Sequence, residues 1–251
     1  MTIPRESLTA ASERLVATAA ESESAPSLIL TAVGWLVLAE GLSAFVKALM
    51  SKPGAPNASW DTLAIFTAQM IMLDGVLLIT VRKRSRIVGY GNRCAGVDDR
   101  PIMRWRLLIV LVLLAATWAF FASAVFVWAV RNAPEPQWVA SWRQASPWTV
   151  AAFAVAAVVL APLAEELFFR GWLWTALRRR WRAFPTALLT CGFWMVVHLE
   201  RGLLLPLFLL PIAVILGFAR HFCGIRAAII LHAIYNLVGI LGLLPLLVSR
   251  A

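Results

Sequence analysis

From residue 27 to residue 248 the chain is a series of long apolar stretches divided by short polar turns, and this alternation leaves few folds open. A helix that crosses a bilayer needs about 20 mostly apolar residues. Seven stretches qualify, at roughly 27–50, 61–81, 107–130, 148–171, 185–199, 203–220 and 227–248. The fifth and sixth are short and are divided only by Glu200-Arg201-Gly202, so six to eight spans is the range the pattern allows. The expected fold is all-α, a polytopic transmembrane helix bundle. Residues 1–26 read as a cytoplasmic N-terminal extension and 27–248 as a single membrane domain, without internal repeat or low-complexity segment.

Composition supports this reading. The chain is 61% hydrophobic and only 14% charged, where a soluble domain carries about a quarter charged residues. Twelve Trp and thirteen Phe against two Tyr fit a helical membrane protein with interfacial aromatics. The formal net charge of +10 invites a nucleic-acid reading. Its basic residues, however, sit in short runs between apolar stretches, as in membrane loops, so lipid and not nucleic acid is the expected partner.

Those runs also set the orientation. Arg82-Lys83-Arg84-Ser85-Arg86 with Arg93, Arg100, Arg104 and Arg106, then Arg178-Arg179-Arg180-Trp181-Arg182, then Arg220 and Arg226 all fall on one side of a seven-span chain. By the positive-inside rule that side is cytoplasmic, with the N-terminus inside and the C-terminus outside. The opposite loops hold only Lys52, Arg131, Arg143 and Arg201. Glu6, Glu13, Glu21 and Glu23 among Arg5 and Arg14 are the wrong flank for a cleavable signal peptide. Tight loops and no targeting signal point to a bacterial inner (plasma) membrane. Cys94, Cys191 and Cys223 lack metal-ligand spacing and read as free thiols. The sequon Asn57-Ala58-Ser59 is too short a motif to carry weight.

Ionisable side chains inside a membrane are costly and persist only where something compensates them. Glu40 and Lys47, two turns apart, and Asp74 read as structural pairs or interfacial groups. Glu165-Glu166-x-x-x-Arg170 is different, because two adjacent carboxylates stand in an apolar run just after Pro162. Neighbouring helix positions lie about 100° apart, so both can face one cavity without overlapping. Glu166 and Arg170, four apart, suit an intrahelical ion pair, which leaves the other carboxyl less compensated, and two carboxyls so divided are what a general base and its support need. A purely structural salt bridge is the competing account.

His198 ends the fifth stretch one turn after Trp194, and His232 and Asn236 share one face of the seventh. Each alone fits inter-helix hydrogen bonding. Imidazole can also bind metal or, with Asn, stabilise an oxyanion. The third histidine, His221, adjoins Arg220 at the inner boundary. Glu165 lies 13 residues before Arg178 and His198 lies 13 after Pro185, so both stand within about 20 Å of the inner boundary and can meet. His232, six residues past Arg226, is shallower by this count.

Order and placement make the set specific. Glu165-Glu166-x-x-x-Arg170, then Trp194-x-x-x-His198, then His232-x-x-x-Asn236 resemble the CPBP family, the CAAX proteases and bacteriocin-processing enzymes also called Abi, over roughly residues 147–240. That family carries Glu-Glu-x-x-x-Arg, Phe-x-x-x-His and His-x-x-x-Asn/Asp, each on its own transmembrane helix. The first and third motifs match in full, while Trp194 stands where the family has Phe. Gly217 and Gly224 look like the family's glycine-bearing helix ahead of the last motif.

The resemblance implies a protease-like core at about 147–248. It also implies hydrolysis of a peptide bond within the membrane, in a membrane-associated or lipidated peptide or protein. Carried over, Glu165 activates water, Glu166 supports it through Arg170, and His198, His232 and Asn236 hold the oxyanion. Zinc stays open as a cofactor, with Glu165, His198 and His232 as its ligand set. Two other classes compete. One is a catalytically silent relative acting in binding, immunity or scaffolding, favoured by Trp194. The other is a proton-coupled transporter, which lacks the repeated halves such folds show. Substrate identity and oligomeric state are not legible.

Overall fold

The computed structural model describes residues 24–50, 59–87, 104–132, 137–198 and 205–248. The extension up to Glu23, the sequon's Asn57 and Ala58, Cys94, the basic residues Arg93 and Arg100, and the turn Glu200-Arg201-Gly202 lie outside the described residues, as does the side chain of Lys47. Among the described residues there is helix and no strand. Eight helices among the described residues follow in order: α1 (Ala25–Met50), α2 (Ser59–Ile87), α3 (Trp105–Arg131), α4 (Gln137–Gln144), α5 (Pro147–Arg178), α6 (Ala183–Val197), α7 (Leu205–Cys223) and α8 (Ile225–Val248).

Among the described residues each of the seven apolar stretches overlaps a helix of its own, and the short fifth and sixth overlap separate helices. Three of the helices, α3, α5 and α8, are long and apolar enough to cross a membrane, while α1, α6 and α7 contain shorter apolar helical stretches. The eighth helix, α4, arises within the stretch 131–147 that reads as an outer loop. It seats Trp142 edge-on against Phe153, with ring centroids 4.7 Å apart. Arg143 Nε donates to the Leu246 carbonyl at 2.8 Å, taking one of the carbonyls that the end of α8 leaves over.

Local chemistry sets several boundaries. Ser146 caps α5, its hydroxyl accepting from the Thr149 N–H at 3.1 Å, with Pro147 in the first turn where its missing N–H costs nothing. α7 and α8 are joined through the single residue Gly224, whose φ of 90° lies in the left-handed region that a side chain disfavours. This reversal fixes where α8 starts and hence where His232 stands, two turns on.

α5 occupies the middle of the bundle. From Ala164 to Trp174 all of its residues except Leu167 are buried, and Phe168, Phe169, Trp172 and Leu173 join core residues from α1, α2, α3, α6, α7 and α8. Large apolar side chains point outward instead on α3, where Leu113, Leu114, Phe120 and Phe121 are exposed. That is the arrangement a bundle takes in lipid.

α3 and α8 meet through small residues. On α3, Leu111, Ala115, Ala119, Ser123 and Val127 recur every fourth residue as a buried stripe. Ser123 donates its hydroxyl to the Gly239 carbonyl at 3.3 Å. A Cβ on Gly242 would stand 2.6 Å from the Ser123 Cβ, too close for any side chain, as in other small-residue membrane contacts. Gly242→Ala should therefore destabilise the bundle by about 1–3 kcal/mol. Thermal unfolding in detergent checks this, with Ser123→Gly in the same chain restoring part of the loss.

Candidate active site

Two stretches of α5 depart from α-helical register, and both lie beside the glutamates. Ala156–Leu160 and Glu166–Leu173 are π-helical, a register that recurs at functional sites. Pro162 gives the first its cause. Proline lacks an N–H and crowds the carbonyl one turn back, so the regular ladder cannot run through it. The Ala161 N–H bonds the Ala156 carbonyl, five residues back, and passes over Ala157. The π partner of the Ala157 carbonyl would be Pro162, which has nothing to donate. Asn236 supplies the donor from α8, its Nδ2 reaching that carbonyl at 2.7 Å.

The second stretch repeats the pattern. The Trp174 N–H bonds the Phe169 and Gly171 carbonyls and passes over Arg170. Arg220 of α7 takes the bypassed Arg170 carbonyl through Nε at 2.6 Å, and its Nη2 donates to Thr175 Oγ1 at 3.3 Å. Arg220 is thus buried, 5% exposed. Its charge, assigned by pattern to the inner loop, is spent within the protein. Nothing local in the sequence marks this role, because the carbonyl that Arg220 serves lies on another helix.

Glu165 immediately precedes the second stretch and Glu166 opens it. Glu165 is 8% exposed and Glu166 and Arg170 are fully buried. Arg170 Nη1 donates to Glu166 Oε1 at 3.0 Å, the intrahelical pair that the four-residue spacing predicts. His232 Nδ1 lies 3.0 Å from the same oxygen. A carboxylate oxygen only accepts, so Nδ1 carries the proton and Nε2 is left for other chemistry. Glu165, about 100° round the helix, faces α6 instead, where its Oε2 accepts a hydrogen bond from the Trp194 indole N–H.

Trp194 joins the parts. It is 1% exposed, and its ring lies 4.6 Å from that of His198 and edge-on to His232 at 5.7 Å. The Arg170 guanidinium carbon is 5.2 Å from its centroid, within cation–π range. His198 closes α6 with its Nδ1 2.8 Å from the Trp194 carbonyl. Glu165, Arg170, His198 and His232 are therefore gathered around one indole, and Glu166 joins them through Arg170 and His232. Asn236 stands apart, with one of its amide N–H groups on Ala157. Sequence reasoning underrated Trp194, treating it as a departure when it is the common contact.

Glu165, His198 and His232 do not gather as a zinc-ligand set. Among the described residues no three His, Cys, Asp or Glu side chains stand close enough to share an ion. A catalytic zinc takes three protein ligands at about 2 Å, and no step through a metal follows from this donor geometry. Glu40 and Asp74, set aside as structural, lie in α1 and α2, and Asp74 is fully buried.

Breaking a buried ion pair from one side leaves an uncompensated charge and costs about 3–5 kcal/mol. Arg170→Met should lower stability by that order. Combined with Glu166→Gln it should cost clearly less than the sum of the two single changes, the signature of a coupled pair. Thermal unfolding of the four proteins measures the coupling; strict additivity would mean that the pair does not form.

Comparison with known proteins bears on the same helices. No curated protein and no solved structure matches the chain. One family model does match, described as type II CAAX prenyl endopeptidase Rce1-like, over residues 147–238. This stretch begins at the first residue of α5 and ends beyond Asn236, so it holds all three motifs. Over residues 147–238 the chain thus resembles the type II CAAX prenyl endopeptidases, and the matched stretch contains its glutamate, histidine and asparagine motifs.

Proposed function

We propose that this protein is an intramembrane endopeptidase that hydrolyses a peptide bond in a lipidated or membrane-associated peptide or protein, with Glu165 as the base that activates water. The observation that carries the reading is the shared indole: Trp194 holds Glu165 by a hydrogen bond and packs edge-on against His232, which Glu166 anchors through Nδ1.

The charge balance of this cluster supports the assignment. A buried group of charges is least costly when its sum is zero. With His232 neutral, one proton on Glu165 balances Glu166 and Arg170. With Glu165 ionised, a protonated His232 restores the balance. The two arrangements differ only in where one proton sits, so the site can hold a carboxylate base and an imidazolium donor together without net charge.

The reaction then runs as follows. Glu165 takes a proton from water as the water oxygen attacks the scissile carbonyl. His232, as imidazolium, donates from Nε2 to the oxyanion, with His198 as a second imidazole beside the same indole. Collapse of the intermediate breaks the C–N bond, and Glu165 returns its proton to the leaving amine. Glu166 and Arg170 position His232, and Asn236 braces α5 while keeping a second amide N–H for the oxyanion. General-base action and oxyanion stabilisation each supply orders of magnitude in rate.

Cleavage of a library of prenylated and unmodified membrane peptides by the reconstituted protein tests the reading. Glu165→Gln should reduce the rate about 10²–10⁴-fold, and His232→Ala should reduce it comparably. Trp194→Phe, which keeps the ring and removes the donor, should leave a slower but active enzyme. Cleavage unchanged in both Glu165→Gln and His232→Ala would sink the assignment.

We further infer seven spans in a bacterial inner membrane, with the N-terminus cytoplasmic and the C-terminus outside. The grouping of basic runs on one side supports this orientation. A reporter active only outside the cytoplasm should be active when fused to the C-terminus, and inactivity there would reverse the topology.

A further inference from the structure

Cys191 is a free thiol buried on α6, and its place there is particular. It lies one turn before Trp194, on the same face of the helix. Trp194 is the ring that the Arg170 guanidinium carbon approaches to 5.2 Å. The thiol donates to the Ala213 carbonyl on α7 at 3.1 Å. That contact commits the S–H and leaves the sulfur lone pairs to face elsewhere. Gly217 follows Ala213 by one turn, and a Cβ there would already touch Sγ at 3.4 Å, so α7 packs directly over the sulfur.

Arg170 has donors that Glu166 does not use. Its Nη1 serves Glu166 Oε1, while Nε and Nη2 are buried without a hydrogen bond of regular geometry. These two nitrogens form one edge of the guanidinium fork, and bare donors in a buried site are costly. The Cys191 sulfur stands within reach of that guanidinium. Sulfur is a large, polarisable and weak acceptor. It meets the edge at long range and leaves the guanidinium with Glu166. The plain account of a buried cysteine is a small hydrophobe that fills a gap. A committed S–H and a donor edge beside the sulfur speak against it here.

We propose that Cys191 is a positioning residue of the candidate site, its sulfur holding the edge of Arg170 that Glu166 leaves over. The guanidinium so fixed anchors Glu166 and, through Glu166, His232. No bond is made or broken at the thiol. The contact is independent of the proteolytic reading, and only its effect on turnover rests on that reading.

Thermal unfolding of Cys191→Val, Cys191→Ala and Cys191→Ser in the full chain separates the two accounts. A packing role ranks Val near the unaltered protein, then Ala, then Ser, because a hydroxyl gains nothing in an apolar gap. A positioning role ranks Ser above both others in Tm by about 2–4 °C, since only Ser keeps an acceptor. The hydroxyl can also serve the Ala213 carbonyl alone. The series is therefore repeated with Glu166→Gln and Arg170→Met in the same chain, where no guanidinium is left and the advantage of Ser should vanish. Turnover gives a second readout that needs only the first series. Cys191→Val should lower kcat by roughly 10–100-fold with KM unchanged, and Cys191→Ser should recover most of it. Val equal to Ser in Tm, an advantage of Ser that persists without Arg170, or full kcat in Cys191→Val would each overturn the proposal. An unaltered chain that cleaves nothing would count against the proteolytic reading alone, with the ranking in Tm still deciding this one.

Discussion

Glu166 cannot stand in the middle of this bundle without help, and the help it receives organises the rest. An ionised carboxylate removed from water carries a penalty of several kcal/mol even after relaxation. Arg170 from its own helix and His232 from α8 both reach one of its oxygens, at 3.0 Å each. The first contact is local and follows from spacing. The second ties α8 to α5 at a fixed depth, because a shift of one residue along α8 would swing the imidazole away by about 100°. Gly224 lets that depth be reached by reversing the chain in one residue between α7 and α8.

The same need for satisfied groups explains why α5 departs from α-helical register before Glu165 and again from Glu166 onward. In lipid there is no water to rescue a bypassed carbonyl, so a π stretch survives only where another helix donates. α8 gives Asn236 to the Ala157 carbonyl and α7 gives Arg220 to the Arg170 carbonyl. Two helices thus clamp α5 above and below Glu165 and Glu166. The motif His232-x-x-x-Asn236 has a physical sense in this frame: its imidazole meets the carboxylate, and its carboxamide, one turn on, meets the carbonyl that Pro162 left without a partner.

What the sequence discloses and what it withholds divide along the range of the contacts. The helices were legible because apolar length is a property of each stretch, and the Glu166–Arg170 pair was legible because four residues make a turn. Asn236 was marked as polar and set beside His232, but its acceptor depends on a register change in α5, which Pro162 permits without dictating. Arg220 was misplaced for a related reason. Charge at a helix end reads as loop charge unless the carbonyl it serves is known, and that carbonyl lies fifty positions earlier in the chain. The helix in 137–144 escaped notice because eight residues make little more than two turns, too short a window for a helical period to register.

Trp194 shows how a departure from a family pattern can be compensated within the fold. A phenylalanine at that position would fill the contacts with Arg170, His198 and His232 equally well, since those use only the ring. An indole adds a buried N–H, which is costly unless an acceptor meets it. Glu165 is that acceptor. The exchange works in both directions: the carboxylate makes the larger residue tolerable, and the indole fixes one carboxylate oxygen and thereby the orientation of the other. Where a phenylalanine would leave that orientation to packing and water, this chain sets it with a side chain that also touches both histidines.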